Sequence, residues 1–145
     1  MYKKILVPLD GSDRSNKALS HTVELALKLG SQITLMHVVP SLPPYVNTAV
    51  DRLGQAQQSI IDELMRNGKE MLQQYASSIS DKGIEVKTIT VMGQPADEII
   101  EKAITENYDL IVIGSRGLGE IKGYLMGSVS NRVSRHASCP VLIIR

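Results

Sequence analysis

Residues 110–117 read Leu-Ile-Val-Ile-Gly-Ser-Arg-Gly, an apolar run that is followed at once by glycine and polar residues. A short continuous apolar run bounded by turn residues is typical of a strand that is buried on both faces. Such strands occur in parallel sheets, where helices cover both faces. This stretch therefore predicts an α/β fold.

The same pattern recurs along the whole chain. Residues 5–9 are apolar and end at Asp10-Gly11-Ser12, with Pro8 near the end of the run, where strand pairing can stop. Helical patterns separate these strands from one another, and a proline-containing loop is predicted at 40–50. Strict alternation predicts a single domain over residues 1–145. It is a doubly wound, Rossmann-like sheet of five parallel strands in the order 3-2-1-4-5, with helices on both faces. The other strands are predicted at 33–39, 84–92 and 141–144.

The longest predicted helix, at about 51–79, carries an apolar stripe that predicts burial against the sheet. Gly54 and Gly68 interrupt it, and each weakens a helix by about 1 kcal/mol relative to alanine. The strand that follows alternates between apolar and polar residues, so we expect it at or near an edge of the sheet. The stripe consists of Leu53, Ile60, Leu64, Met71, Tyr75 and Ile79.

Composition excludes several classes of function. Sixteen Lys and Arg residues against fifteen Asp and Glu give a net charge of +1, which does not favour a nucleic-acid surface or a polybasic membrane anchor. The chain has no Phe or Trp to stack on single-stranded nucleic acid. No apolar run approaches the roughly 18 residues of a membrane span. The single cysteine, Cys139, fits a reducing compartment. We therefore expect a cytoplasmic protein that binds neither nucleic acids nor membranes.

Two of the predicted strands end in residues suited to binding a ligand. In doubly wound sheets, ligands bind at the carboxyl ends of strands where the strand order reverses. Strands one and four are neighbours there in the order 3-2-1-4-5. Asp10-Gly11-Ser12 and Gly114-Ser115-Arg116-Gly117 are thus expected to face one crevice.

The segment 114–136 favours an anionic ligand. Its glycines allow the backbone to approach a ligand closely, and Gly127-Ser128 begins a helix, whose amides and dipole attract anions. Neither the P-loop motif nor the dinucleotide-binding spacing is present. Phosphate is the ligand that this segment predicts, because it has a net charge of +3 from Arg116, Lys122, Arg132 and Arg135 against Glu120.

The two-part glycine motif resembles the nucleotide-binding signature of the universal stress protein family. It reads Gly114-x-x-Gly117, then nine residues, then Gly127-Ser128. The opening Ile-Leu-Val-Pro-Leu-Asp-Gly-Ser at 5–12 and the closing Cys-Pro-Val-Leu-Ile at 139–143 are also similar to that family. The resemblance implies an ATP-binding regulator of the stress response, with Mg²⁺ held mainly by the phosphates and a protein partner that the sequence does not identify.

The resemblance also implies a role for individual residues. Asp10 would accept a hydrogen bond from a ribose hydroxyl, Val38 would hold adenine through its backbone, and Gly114 would lie against the ribose. The phosphates would be cradled by Gly117, Gly127, Ser128, Val129 and Ser130. The whole implied site comprises Pro8, Leu9, Asp10, Val38, Gly114, Ser115, Arg116, Gly117, Gly127, Ser128, Val129 and Ser130.

No residue is assigned a catalytic role, and no histidine has metal-ligand spacing. Slow ATP hydrolysis, self-phosphorylation or a relationship to adenylyl-transferring enzymes is the alternative function. Those enzymes resemble one another in a Ser-Gly-Gly-x-Asp-Ser loop, whereas the first strand here is followed by Asp10-Gly11-Ser12-Asp13. A phosphoacceptor signalling domain needs an aspartate at the end of the third strand, which here ends Val91-Met92-Gly93, so this function is set aside.

The last predicted strand, at 141–144, suggests a homodimer. It is wholly apolar and only Arg145 follows it. As the fifth strand in the order 3-2-1-4-5 it lies at an edge, where free backbone groups invite pairing with another chain. The family resemblance points the same way.

Overall fold

A computed structural model describes residues 1–41, 51–119 and 126–145, with no side chains described at 51–53. Residues 42–50 of the predicted loop and residues 120–125 of the glycine-rich stretch therefore lie outside the described part. Strands and helices alternate as predicted: β1 (Lys4–Pro8), α1 (Asp13–Leu29), β2 (Gln32–Pro40), α2 (Asp51–Ser78), β3 (Val86–Gly93), α3 (Pro95–Thr105), β4 (Leu110–Gly114), α4 (Ser128–His136) and β5 (Val141–Ile144). A 3₁₀ turn, Ser80–Lys82, follows α2.

The five strands form one parallel sheet in the order β3-β2-β1-β4-β5, which confirms the predicted topology. The central strand β1 has β2 on one side and β4 on the other. The strand order reverses between β1 and β4. The carboxyl ends of these two strands are therefore adjacent, as the sequence predicted.

Two apolar cores lie on opposite faces of the sheet. Successive residues of β1 alternate between them: Ile5 and Val7 pack with α1 and α2, and Leu6 packs with α3 and α4. All three side chains are fully buried, and every residue of β4 is buried. Complete burial of such a side chain stabilises the fold by about 1.5–3 kcal/mol. Because both faces of β1 and β4 are buried, apolar residues are favoured at every position of these two strands.

Local sequence signals mark both ends of α1. Ser12 is the N-cap residue, and its hydroxyl oxygen accepts a hydrogen bond from the N–H of Ser15 at 3.2 Å. Gly30 ends the helix in the left-handed region at φ 63°, where its N–H donates to the carbonyl of Ala26. Glycine enters this region without steric cost. The first and last residues of α1 are therefore fixed by a capping hydrogen bond at each end.

The predicted apolar stripe of α2 is correct only in the second half of the helix. Leu72 is buried and Met71 and Tyr75 pack against the core, whereas Ile60 is 53% exposed and Leu64 is 41% exposed. Ile79 is also buried, but it lies just beyond the end of the helix. A helix of 28 residues is about 42 Å long, while the nine residues of β2 span only about 30 Å. The first half of α2 therefore extends past the sheet that was expected to cover it.

Gly68 has a packing role that its helix-weakening effect does not reveal. A Cβ atom at this position would lie 2.5 Å from Cδ2 of His37 on β2. The missing side chain lets α2 pass closely over that imidazole. The next strand, β3, is an edge strand, as predicted.

Candidate functional site

A cavity of about 420 Å³ opens at the carboxyl ends of β1 and β4. This volume is within the usual range of small-molecule sites, roughly 300–1,000 Å³. The cavity brings together residues from five separate parts of the chain. Ten of the twelve predicted site residues line it: Pro8, Leu9, Asp10, Val38, Gly114, Arg116, Gly117, Ser128, Val129 and Ser130. Ser115 and Gly127 do not.

Asp10 is held firmly where β1 ends. One carboxylate oxygen accepts hydrogen bonds from the N–H of Ser12 at 3.0 Å and from its hydroxyl at 2.6 Å. The other oxygen accepts the N–H of Leu118 at 3.1 Å. Asp10 therefore links the end of β1 to the segment after β4, and the predicted encounter of these two segments is present.

The pKa of Asp10 is lower than that of an ordinary aspartate. Burial is the largest influence and raises the pKa, but the hydrogen bonds that Ser12 and Leu118 donate to the carboxylate favour its charged form. The combined effect lowers the pKa. Asp10 is consequently an ionised acceptor at neutral pH.

The two glycines after β4 have different neighbours. A Cβ atom at Gly117 would lie 2.6 Å from Oδ2 of Asp10. A Cβ atom at Gly114 would instead lie 2.8 Å from the backbone carbon of Arg14 in the first turn of α1. Gly117 thus keeps space at the carboxylate, whereas Gly114 allows α1 to pack against β4.

Ser115 fastens the two ends of the glycine-rich segment to each other. Its carbonyl accepts the N–H of Gly127 at 2.7 Å and the hydroxyl of Ser130 at 2.8 Å. Its own N–H donates to the carbonyl of Ile144 on β5, also at 2.7 Å. The Ser130 hydroxyl also approaches the Gly127 carbonyl. The N–H of Gly127 and the hydroxyl of Ser130 therefore donate to backbone carbonyls of the protein itself. The sequence did not indicate these hydrogen bonds.

The start of α4 gives one side of the cavity an electropositive character. Gly127 is its N-cap residue, and the first turn contains no acidic residue. Ser128 and Val129 of that turn line the cavity, and helix N-termini favour anions. Arg116 lines the cavity too, and its Nε atom is buried with no hydrogen-bond acceptor among the described residues. This side of the cavity suits an anionic group.

The backbone of Val38 faces the space beyond the end of β1. Gln32 donates its N–H to Lys3, and Met36 accepts the N–H of Leu9 at 2.8 Å, so the even-numbered residues of β2 direct their peptide groups towards β1. Val38 is the next residue in this series, but β1 ends before reaching it. Its N–H and carbonyl are therefore directed into the cavity.

Sequence reasoning missed the apolar wall of the cavity. Met36 lies two residues before Val38 on the same face of β2, so a period of two along that strand was the available signal. Ile113 directly precedes Gly114 on β4, and its position next to a predicted site residue was the only signal for it. No local signal marked Ile99 of α3, which tertiary packing brings to the site. The lining residues absent from the prediction are Ser15, Met36, His37, Pro40, Pro95, Ile99, Ile113 and Leu118.

His37 supports the strand end from within the sheet. Its Nδ1 atom lies 2.8 Å from the carbonyl oxygen of Leu9. Because a carbonyl only accepts, Nδ1 carries the proton in this contact. The imidazole thereby ties β2 to the residue before Asp10.

The described residues contain no group of three or more His, Cys, Asp or Glu side chains arranged to hold a metal ion. They also contain no helix that is long and apolar enough to cross a membrane.

Comparison with known proteins gives consistent results over the whole chain. The profile described as "Universal stress protein family" matches residues 1–145. Universal stress protein YxiE from Bacillus subtilis is 35% identical over 149 residues and is covered completely, as is this chain. The solved structure of universal stress protein UspA from Lactobacillus plantarum has a TM-score of 0.89 at 27% identity, with 99% of this chain and 98% of that chain covered.

Two other similar structures contain nucleotides. The universal stress protein from Archaeoglobus fulgidus in complex with dAMP is 27% identical, with a TM-score of 0.68 and coverage of 99% and 98%. A universal stress protein in complex with cAMP is 25% identical, with a TM-score of 0.69 and coverage of 99% and 97%. Both ligands are adenine nucleotides with one phosphate.

Proposed function

Because the chain belongs to the universal stress protein family, we propose that it binds ATP or another adenine nucleotide between β1 and β4 and acts as a nucleotide-dependent regulator of the stress response. The observation that carries this proposal is the single cavity that contains Asp10, the Val38 backbone and the start of α4. Two of its structural neighbours are complexes with adenine nucleotides.

The base of the nucleotide occupies the apolar part of the cavity in this proposal. Val38 offers one N–H donor and one carbonyl acceptor side by side. Adenine presents the matching pair, an acceptor at N1 and a donor at the 6-amino group, whereas guanine presents the reverse arrangement. Met36 and Ile99 supply apolar contacts to the ring. The proposed site therefore discriminates in favour of adenine.

The ribose and phosphates occupy the polar part. Asp10 is ionised, and its carboxylate accepts a hydrogen bond from a ribose hydroxyl. The phosphates lie at the start of α4, near Arg116, whose buried Nε donates to them. Mg²⁺, where present, is held mainly by the phosphates. This arrangement supplies a partner for the Arg116 donor, which has none among the described residues.

Calorimetry with nucleotides that differ only in the base tests this proposal. We expect ATP to bind at least about tenfold more tightly than GTP, because two mismatched polar contacts in a half-buried site cost about 1–3 kcal/mol. CTP and UTP serve as controls for affinity that comes from the phosphates alone. Equal affinities for all four nucleotides would contradict the role of Val38, and absence of binding would contradict the proposed function.

A slow ATPase or autophosphorylating protein is the second candidate, because adenine nucleotides with transferable phosphates fit the same site. Regulation by binding is favoured, since Asp10 has a lowered pKa and is a weak base. Ordinary enzymes turn over about once per second or faster. ATP hydrolysis at that rate by purified protein, abolished in Asp10→Ala, would establish the enzyme instead.

We also propose that the protein is a homodimer joined through β5. This strand lies at the edge of the sheet, and Leu142 is an exposed apolar side chain on it. Pairing across a two-fold axis gives both copies a partner for their edge.

Leu142→Lys is expected to convert the dimer to a monomer. A charge on the pairing strand opposes a second copy, while the exposed position leaves the monomer folded. Light scattering at micromolar concentration measures this change. The matched control is Ile60→Lys, which alters an exposed apolar residue on α2 and is expected to leave the dimer intact. A mass of 15.9 kDa for the unmodified protein would contradict the dimer.

A further inference from the structure

The backbone pairing between β1 and β2 stops one step short of Val38. Near the start of the paired series, the N–H of Gln32 donates to the carbonyl of Lys3. At its end, the N–H of Leu9 donates to the carbonyl of Met36. Each further step of a parallel ladder adds two residues on both strands, so the next bond would run from the N–H of Val38 to the carbonyl of Leu9. The described residues form no such bond.

The imidazole of His37 takes the place of that bond. Its Nδ1 atom donates to the carbonyl oxygen of Leu9 at 2.8 Å. The side chain of His37 and the N–H of Val38 are therefore alternative donors to the same carbonyl. Because the imidazole satisfies this acceptor, the ladder ends and the Val38 N–H is directed into the cavity, which both residues line.

Helix α2 packs closely against the imidazole. A Cβ atom at Gly68 would lie 2.5 Å from Cδ2 and 3.3 Å from Nε2 of His37. The same atom would lie 3.2 Å from Cγ2 of Thr90 on β3, the strand that pairs with β2 at this level. The ring thus contacts the backbone side of α2 while it donates to Leu9, and this packing opposes its rotation away from the carbonyl.

We infer that His37 is a positioning residue for adenine recognition: by donating to Leu9 it ends the β1–β2 ladder and leaves the Val38 N–H available to the base. The inference rests on the proposed function and deepens it, because Val38 is where that proposal places adenine. His37 acts through the backbone of its neighbour and needs no contact with the nucleotide. Without its donor, Val38 pairs with Leu9, and the N–H is withdrawn from the cavity.

Amide hydrogen exchange of the nucleotide-free protein, measured by NMR, tests how the ladder ends. In the unmodified protein the Val38 amide is expected to exchange at least about tenfold faster than the Met36 amide, which lies one step earlier in the paired series. His37→Leu is expected to slow exchange at Val38 about tenfold, because a new bond to Leu9 protects this amide. Equal rates at Val38 and Met36 in the unmodified protein would overturn the inference, as would an unchanged Val38 rate in folded His37→Leu protein.

Nucleotide titration tests the consequence for the base. His37→Leu is expected to weaken ATP binding about fivefold, the scale of one neutral hydrogen bond, and to change the binding of UTP, which has the same ribose and phosphates, less than about twofold. His37→Asn keeps a donor, because its amide nitrogen is bonded to Cγ as Nδ1 is in histidine. This variant is expected to bind ATP nearly as tightly as the unmodified protein. The matched control is His21→Leu, which replaces an exposed histidine on α1 outside the cavity.

The outcomes separate the inference from the proposal beneath it. Equal losses of ATP and UTP affinity in His37→Leu would contradict the inference, because they would show that the histidine only supports the position of Asp10. A His37→Asn variant as weak as His37→Leu, or a His21→Leu variant with the same loss, would also contradict it. Failure of the unmodified protein to bind ATP would instead contradict the proposed function, and the exchange rates would still decide how the ladder ends. A thermal melt of each variant verifies folding.

Discussion

Gly117→Ala is expected to weaken adenine nucleotide binding by about 10- to 100-fold while the protein remains folded. The added methyl group would lie 2.6 Å from Oδ2 of Asp10, far inside van der Waals contact. The carboxylate must then move, and it loses the N–H of Leu118 as well as its position for the proposed contact with the ribose. Hydrogen bonds to a charged group contribute about 1.5–3 kcal/mol, which gives the expected loss.

Gly54→Ala is the matched control for this experiment. A Cβ atom at Gly54 would meet nothing within 4 Å, and Gly54 is not among the described residues that line the cavity. We expect unchanged nucleotide affinity. Calorimetry on both variants, with circular dichroism to verify the fold, measures the difference. If folded Gly117→Ala protein bound ATP as tightly as the unmodified protein, the nucleotide site would have to lie elsewhere.

Gly114→Ala is expected to reduce stability rather than binding alone. Its Cβ atom would lie 2.8 Å from the backbone carbon and 2.9 Å from the carbonyl oxygen of Arg14. Backbone in the first turn of a helix yields less than a flexible side chain. Overpacking of this kind costs about 1–3 kcal/mol, which corresponds to a fall in melting temperature of roughly 2–12 °C for a domain of this size.

Urea unfolding of Gly114→Ala, Gly117→Ala and Gly54→Ala distinguishes the roles of these glycines. Gly54→Ala is expected to increase the free energy of unfolding by up to about 1 kcal/mol, because alanine is the better helix former. A Gly114→Ala variant as stable as the unmodified protein would show that α1 can move away from β4 at no cost. The close packing would then not explain the glycine.

The sheet was predictable because its signals are local and agree with one another. The unbroken apolar residues of β4, the glycine at position 30 and the capping serine at position 12 each indicate one element and one boundary. Strict alternation of strand and helix then restricts the topology, since parallel strands require crossover connections. The crevice followed from the order of the strands alone.

The remaining features could not be predicted because they depend on distances between remote parts of the chain. Ile60 and Leu64 fit a helical stripe perfectly well, but the sequence does not say where the sheet beneath them ends. Gly114 lines the cavity, but a Cβ atom at this position would also meet the backbone of Arg14, and the sequence does not show that contact. The direction in which Ser130 donates its hydroxyl proton is likewise a property of the folded chain.

The backbone of Ser115 joins the two regions for which binding is proposed. Its carbonyl accepts hydrogen bonds from the N–H of Gly127, the N-cap residue of α4, and from the hydroxyl of Ser130. Its N–H donates to the carbonyl of Ile144, the last residue of β5. Nucleotide affinity and self-association are therefore expected to be thermodynamically linked through one residue. Linkage between binding equilibria is reciprocal: by whatever factor the nucleotide strengthens or weakens pairing of the β5 edges, pairing changes nucleotide affinity by the same factor. Under the proposed function, the amount of bound nucleotide would then depend on the concentration of the protein as well as on that of the nucleotide.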